Sequence, residues 1–342
     1  MMKKIALSLA VLVVLAAAAL TGAVYIYGPT YGAVLTGKPV FMGHVTPKRY
    51  AHAVLGAAET AIYADSPEFA AAADKARAVA KEAQSNEELY GVLNKAVKAA
   101  GGKHSMLLTP AENAESDAAA TTNPARPAVD VHGQVAVATV PAVAREEDGQ
   151  AYADTLARGL ADALGGDKPR ACAAVVDLRG NTGGDMGPMV AGLSPLLPEG
   201  PALHFVGAFG KNPVMVTGNG VQGGGTPTSV GVSEKFSVPV AVLVDEKTAS
   251  SGEATMLAFR GLDNSRSFGG PTAGYASANT VIDYPDGSEL MLTISRDKAR
   301  TGEIFAEDPI KPDVVLDPAA LADAAVPIPP QAAAWLSEQG CS

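Results

Sequence analysis

The hydrophobic pattern of this chain changes period several times, and each change marks an element. Residues 5–27 are apolar almost without interruption and follow Met1-Met2-Lys3-Lys4. An apolar run of roughly 20 residues is long enough to cross a bilayer. Residues 49–100 carry apolar positions at helical spacing. Within them Ser66-Pro67-Glu68 and Ser85-Asn86-Glu87-Glu88 read as helix starts, and Gly101-Gly102 as the final stop. Residues 111–127 are rich in Ala, Thr, Asn, Asp and Pro and lack any period, which predicts a mobile loop or linker.

Beyond residue 130 strand and helix patterns alternate. Residues 135–140 read as a strand, Gly149–Leu164 as an amphipathic helix, and residues 171–178 as a strand buried on both faces. That order predicts a βαβ crossover in a partly parallel sheet. A glycine-rich loop, Arg179-Gly180-Asn181-Thr182-Gly183-Gly184-Asp185-Met186, then leads into a helix reaching Leu197, and residues 218–226 predict a flexible excursion. Val240–Val244 is the most apolar, β-branched run and reads as a central strand. Thr248-Ala249-Ser250-Ser251-Gly252 breaks it, and residues 253–262 return to helical spacing. Residues 269–274 form a turn, and Asp286-Gly287 closes a hairpin between residues 280–283 and 289–293.

The expected architecture is α/β, an N-terminal helical bundle followed by a mixed β-sheet core with packed helices. Residues 1–30 form a membrane anchor or signal segment outside the fold, 31–110 the bundle, 111–130 a linker, 131–325 the core and 326–342 a C-terminal tail.

Composition narrows the classes. A formal net charge of −10 argues against a protein that grips nucleic-acid phosphates. Two cysteines occur: Cys172 precedes an apolar strand and reads as a small core residue, and Cys341 lies beside the C-terminus. No framework spacing decides whether they pair. The long apolar run favours an uncleaved anchor with Lys3 and Lys4 inside and the bulk of the chain outside. A weak small-residue site at 19–23 keeps a secreted, processed form as the alternative. No set of His, Cys and carboxylates has metal-ligand spacing, so neither a metal nor a cofactor is expected. Nothing in the sequence speaks to oligomeric state.

The candidate chemistry begins at the strand–turn–helix junction. A serine there stands clear of the sheet, beside free N–H groups that open a helix and can stabilise an oxyanion. Ser250 or Ser251 could thus be a nucleophile; each could equally be an ordinary helix N-cap. His104 lies just past a helix end and before an apolar strand, as a general base or as a plain loop residue. The glycine loop at 179–186 lacks phosphate-loop and dinucleotide spacing and reads better as a donor loop for a carbonyl oxygen, with Asp177 and Arg179 bracing it.

Lys103-His104-Ser105, Asp177-Leu178-Arg179-Gly180-Asn181-Thr182-Gly183-Gly184, Thr248-Ala249-Ser250-Ser251-Gly252-Glu253 and Ile310-Lys311-Pro312-Asp313 occur in this order. Together they resemble the tail-specific (C-terminal processing) serine proteases, whose core also occurs in tricorn protease, and among them the nisin-resistance subgroup. The resemblance covers residues 45–315. It implies Ser250 as nucleophile, His104 as base, and an oxyanion hole from the N–H groups of Ser251 and of Gly183 or Gly184. It places Asn181, Thr182, Asp185, Met186 and Tyr275 on the substrate side. Where many members carry a catalytic lysine this chain has Tyr275, which leaves His104 as the base. Two carboxylates compete for the third role, Glu253 in first place and Glu307 as the late carboxylate of tricorn-like enzymes. The residues between His104 and Asp177 already hold a linker, a strand and a helix, so an intervening PDZ domain does not fit.

The implied function is a membrane-anchored extracytoplasmic serine endopeptidase that needs no cofactor and cuts peptides near their C-terminus, with lantibiotics or exported proteins as substrates. A non-catalytic peptide-sequestering protein and an esterase are the alternatives.

Overall fold

The computed structural model of the protein describes residues 2–120, 126–143, 148–317 and 326–341. The chain divides into two compact units, and the division is discontinuous: residues 279–294 belong with the N-terminal 116.

In the first unit, helix α1 (Met2–Tyr27) continues through a π turn, Gly28–Gly32, into α2 (Ala33–Thr36). The stretch Val11–Thr36 is long and apolar enough to cross a membrane. Pro29 and Ala33 are nevertheless buried in this unit, so its packing starts before residue 30, earlier than the sequence suggests. Helices α3 (Pro47–Ala58), α4 (Pro67–Val79) and α5 (Glu87–Gly101) follow. Thr46 and Ser66 cap the first two, accepting from the N–H of Arg49 and Phe69. Their apolar faces, with Tyr50, Leu55, Leu89 and Leu93, pack on Leu107 and on Ile282, Leu290 and Leu292 of the hairpin. Asp286 at the hairpin tip accepts from Asn86 Nδ2 at 2.7 Å, Tyr90 Oη at 3.1 Å and Ser288 Oγ at 2.6 Å. The Tyr50 hydroxyl lies 2.7 Å from the same Ser288 Oγ.

Strand β1 (Met106–Leu108) pairs antiparallel with the start of the hairpin strand Glu289–Ala299. Helix α6 (Pro110–Ala120) occupies the first half of the expected linker. Thr109 and Glu112 build a capping box at its start, the carboxylate taking both the N–H and the hydroxyl of Thr109. Residues 121–125 lie outside the described residues.

The second unit carries a six-stranded sheet. Strands β2 (Ala128–His132) and β3 (Val135–Thr139) form an antiparallel edge pair; β4 (Ala173–Asp177) joins β3 in parallel through α7 (Gly149–Leu164). Strands β9 (Val240–Val244) and β10 (Ser265–Gly269) and the short strand Val314–Val315 extend the parallel run from β4. The expected crossover is therefore present, and β9 lies inside the sheet with all five residues buried. Helices α7, α8 (Met186–Gly192) and α9 (Ser251–Phe259) contribute to the core on one face of this sheet. On the other face Val137, Val175, Leu243 and Phe268 meet Trp335 and Leu336 of the helix Pro330–Glu338.

The C-terminal segment, expected as a tail, is a packed helix over Pro330–Glu338. The pairing that cysteine spacing leaves open is present: Cys172 is disulfide-bonded to Cys341.

A second, antiparallel group of strands in this unit comprises β5 (Gly200–Gly207), β6 (Gly210–Thr217), β7 (Gly220–Gln222) and β8 (Thr228–Ser229) in a meander. Residues 295–299 of the hairpin strand pair with β5. Residues 218–226, expected to be flexible, thus include an ordered strand and its turns.

The disulfide closes a loop of 169 residues and ties the terminal helix to the sheet. Reduction should lower unfolding free energy by about 2–4 kcal/mol. Urea titrations with and without reductant measure it, and Cys341→Ser should reproduce the reduced curve.

Candidate active site

The turn after β9 is built from the backbone outward. Asp245 accepts the N–H groups of Gly180, Lys247 and Thr248, and the Thr248 hydroxyl donates to Leu178 O at 2.9 Å. The Ala249 N–H reaches Asn181 O at 2.9 Å. These bonds seat the β9–α9 turn against the loop that follows β4. Ser250 comes next, with φ 53° and ψ −119°, the one positive-φ residue other than glycine among the described residues. It does occupy the N-cap position of α9, but an ordinary N-cap has extended backbone. A strained turn between strand and helix is instead the conformation of a nucleophile elbow, at a cost on the order of 1–3 kcal/mol.

Glu253 restrains that turn. Its side chain is fully buried, and Oε2 accepts the Ser250 N–H at 2.9 Å and the Tyr275 N–H at 2.7 Å. Oε1 accepts the Gly274 N–H at 2.9 Å and the Thr272 hydroxyl. Four donors fill the acceptor capacity of a carboxylate. Glu253 therefore positions the elbow and has no lone pair left to orient a histidine, a correction to the role preferred from sequence. Burial pushes its pKa up, against these four hydrogen bonds.

The glycine loop lies against the elbow. A Cβ on Gly183 would come within 2.8 Å of Ser250 Cβ, so this approach requires glycine, at φ 105°. The Gly183 N–H donates to Asn181 Oδ1 at 2.8 Å and is engaged within the loop. Ser251 Oγ donates to Gly184 O at 2.6 Å, tying the second glycine to the start of α9. Asp177 holds Arg179 through bonds of 2.9 and 2.6 Å.

Several residues expected to face substrate are structural. Asn181 is completely buried, its Nδ2 donating to Val140 O at 2.8 Å. Asp185 caps α8 and accepts from Gly187 N–H at 3.0 Å and Thr226 N–H at 2.9 Å, clamping the glycine-rich stretch. Met186 is buried beneath Gly224, where a Cβ would come within 1.9 Å of its methyl. Thr182 is exposed and Tyr275 half-buried.

Glu307 also belongs to this unit. Its carbonyl oxygen would lie 2.6 Å from a Cβ on Gly274, which puts its backbone against the loop that Glu253 holds. His104 belongs to the first unit, in the turn between α5 and β1. That turn is fixed by buried Ser105, whose Oγ donates to Thr293 Oγ1 at 3.0 Å and accepts the Thr293 N–H at 2.9 Å. The His104 carbonyl accepts from Asn279 Nδ2 at 3.3 Å.

Asp297 carried no signal in the sequence. It is fully buried on the hairpin strand behind the 272–276 loop, its N–H donating to Ala276 O at 3.3 Å, and Oδ1 has no hydrogen-bond partner. Burial, with Glu253 as a nearby negative charge, pushes its pKa well above the usual carboxylate range. The folded-state pKa thus exceeds the unfolded one. Stability from this group is complete below the unfolded value and is lost as pH rises through the folded one. Asp297→Asn cannot ionise, so its stability relative to the parent should grow as pH rises from about 4. Urea unfolding at acid, neutral and alkaline pH checks this; a constant difference would mean that Asp297 does not titrate in its buried site.

Comparison with known proteins agrees with this geometry. The nisin-resistance protein of Lactococcus lactis subsp. lactis is 33% identical over 298 residues, covering 86% of this chain and 88% of that one. The carboxy-terminal processing protease of Bacillus subtilis (strain 168) is 29% identical over 164 residues, 48% of this chain and 33% of that protein. A lipoprotein structure from Streptococcus agalactiae superposes with a TM-score of 0.71 at 25% identity, covering 88% of this chain and 99% of that one. Residues 146–316 match peptidase family S41, and the stretch contains both the glycine loop and the elbow. The chain belongs to peptidase family S41 and is a serine-type peptidase.

Proposed function

We propose that this protein is a membrane-anchored extracytoplasmic endopeptidase that cleaves peptides near their C-terminus, with Ser250 as nucleophile and His104 as general base. The observation that carries the reading is the positive φ of Ser250, held by Glu253 at the start of α9 beside the glycine loop. Ser250 Oγ attacks the amide carbonyl as His104 takes its proton. The N–H groups of Ser251 and Gly184 receive the oxyanion, since that of Gly183 is engaged by Asn181. His104 returns the proton to the leaving amine, and water then releases the acyl group. Glu307 is the carboxylate left to orient the histidine once Glu253 is committed to the elbow.

The substrate reading rests on three supports. The relatives include a nisin-resistance protein and a carboxy-terminal processing protease. The apolar helix at the N-terminus suits tethering where peptides reach the bilayer. The net charge of −10 favours cationic peptides, an attraction that weakens as salt screens it. Lantibiotics, which are membrane-active and commonly cationic, combine these properties, with exported proteins as the broader class. Survival of a sensitive host against a lantibiotic panel, beside a Ser250→Ala strain, tests the assignment. Equal survival, with no peptide losing C-terminal residues by mass spectrometry, would reject lantibiotics and leave the peptidase standing.

Ser250→Ala should reduce turnover on the order of a millionfold while the protein stays folded. Ser251→Ala should cost far less, because the variant loses only the hydroxyl bond to Gly184 O and keeps its N–H. Equal losses would contradict the assignment.

His104→Ala should lower turnover about as far as Ser250→Ala, and the double variant should lose no more than either single one, because a nucleophile and its base act as a unit. Losses that multiply in the double variant would separate His104 from the Ser250 step.

A further inference from the structure

The chain that leads from α1 into the helical unit is gripped rather than loose. The Arg49 guanidinium donates through Nη1 to the carbonyls of Met42 and His44, both at 2.9 Å, and through Nη2 to Tyr25 O at 3.3 Å. The same group lies over the Tyr25 ring, 4.1 Å from its centroid, and over Phe41 at 5.6 Å. The chain after α2 doubles back onto the helix: the Val40 N–H donates to Gly28 O at 3.1 Å, and a Cβ on Gly32 would meet Val40 at 2.9 Å. Thr30 fits against Gly56 of α3, where a Cβ would come within 2.6 Å of its hydroxyl. Gly37 O accepts the Asp283 N–H of the hairpin at 3.0 Å. Residues 25–42 are thus one packed piece with the helical unit.

That piece leaves an apolar, aromatic surface uncovered. Leu35 is 77% exposed, Tyr31 58% and Tyr27 57%, and Val40 and Met42 are exposed beside them. Its level follows from helix geometry. At 1.5 Å per residue, the path from Lys4 to Tyr25 spans about 32 Å, close to the ~30 Å hydrocarbon thickness of a bilayer. With Lys3 and Lys4 at one boundary, Tyr25, Tyr27 and Tyr31 reach the other, where tyrosines gather in membrane proteins.

We propose that residues 27–42 form a seat that rests in the headgroup layer of the bilayer crossed by α1, with Tyr27, Tyr31, Leu35, Val40 and Met42 immersed. The seat rests on the anchored reading given above. It makes the connection between bilayer and helical unit stiff, so the unit keeps a set height over the lipid. The occupant is lipid rather than protein because the patch continues directly from the apolar span and lies at its aromatic boundary.

The test uses the full-length protein in phosphatidylcholine–phosphatidylglycerol vesicles, with single nitroxide labels at Val14→Cys, Leu35→Cys, Val40→Cys, Met42→Cys and Asp74→Cys. Accessibility to oxygen and to a water-soluble nickel complex gives each label's depth. Position 14 should lie deep in lipid, 35, 40 and 42 shallow in the headgroup region, and 74 in water. In an Arg49→Ala background, 40 and 42 should gain mobility and nickel accessibility while 14 stays unchanged. If 14 is in lipid but 35, 40 and 42 are aqueous, the seat is wrong and the anchor stands. If 14 is aqueous, the anchored reading itself fails. Spin–spin broadening at 35, 40 and 42 would show that a second copy covers the patch and overturn the lipid assignment.

Discussion

One carboxylate holds the strand–turn–helix end of the sheet together. Ser250 is kept in a conformation that a serine would leave if released, and Glu253 resists this by binding the strained residue's own N–H. The same side chain binds Gly274, Tyr275 and Thr272, so the elbow and the loop beside it are referenced to one buried charge. The Thr272 hydroxyl also accepts the Ile310 N–H at 2.8 Å, which extends the arrangement to the stretch between Pro309 and Pro312. A charge taken out of water is tolerated only when its hydrogen bonds are complete. Here they are, and the strain at Ser250 persists because its surroundings over-determine it.

The glycine loop is constrained from the opposite side. Asn181 binds the backbone of Val140 and Gly183, Asp185 clamps two segments, and Gly183 and Gly184 pass where no side chain could. The site is therefore made mostly of backbone, with side chains used to fix the path. This is consistent with oxyanion stabilisation, which depends on donors already aimed before charge develops.

The parts of this arrangement that were legible in the sequence are those governed by local pattern. The run at Val240–Val244, the break at Thr248 and the return of helical period placed the strand–turn–helix junction, and the βαβ spacing gave the parallel crossover from β3 to β4. What could not be read was which side chains point outward. Asn181, Asp185 and Met186 sit in a motif that looks chemical, yet each is used for packing or capping, and only the tertiary fold decides that. Asp297 is hidden in a strand with no pattern to mark it, because its environment comes from residues far away in sequence. The helix Pro110–Ala120 was legible and was missed. Thr109-Pro110-Ala111-Glu112 is a capping box with proline at the first helical position, obscured by the alanine-rich, aperiodic stretch around it. The Cys172–Cys341 bridge was open at the level of spacing, since 169 residues of intervening chain leave no framework to read.

The hairpin tip has a bearing on how the protein comes to be folded. Tyr50, Asn86 and Tyr90 all find their partners on Asp286 or Ser288, and Leu107 packs on residues of the same hairpin. The helical unit, although it comes first along the chain, is incomplete until residues 279–294 arrive. Contacts of such long sequence separation form late, since closing a long loop precedes any gain from them. As the chain emerges from its N-terminal end, the bundle must wait with part of its apolar face uncovered while most of the second unit is still being made. Early collapse of the bundle onto something else is the hazard of this topology. A chain ending before the hairpin would lack the means to finish either unit, which makes the order of assembly a property of the fold rather than of any single helix.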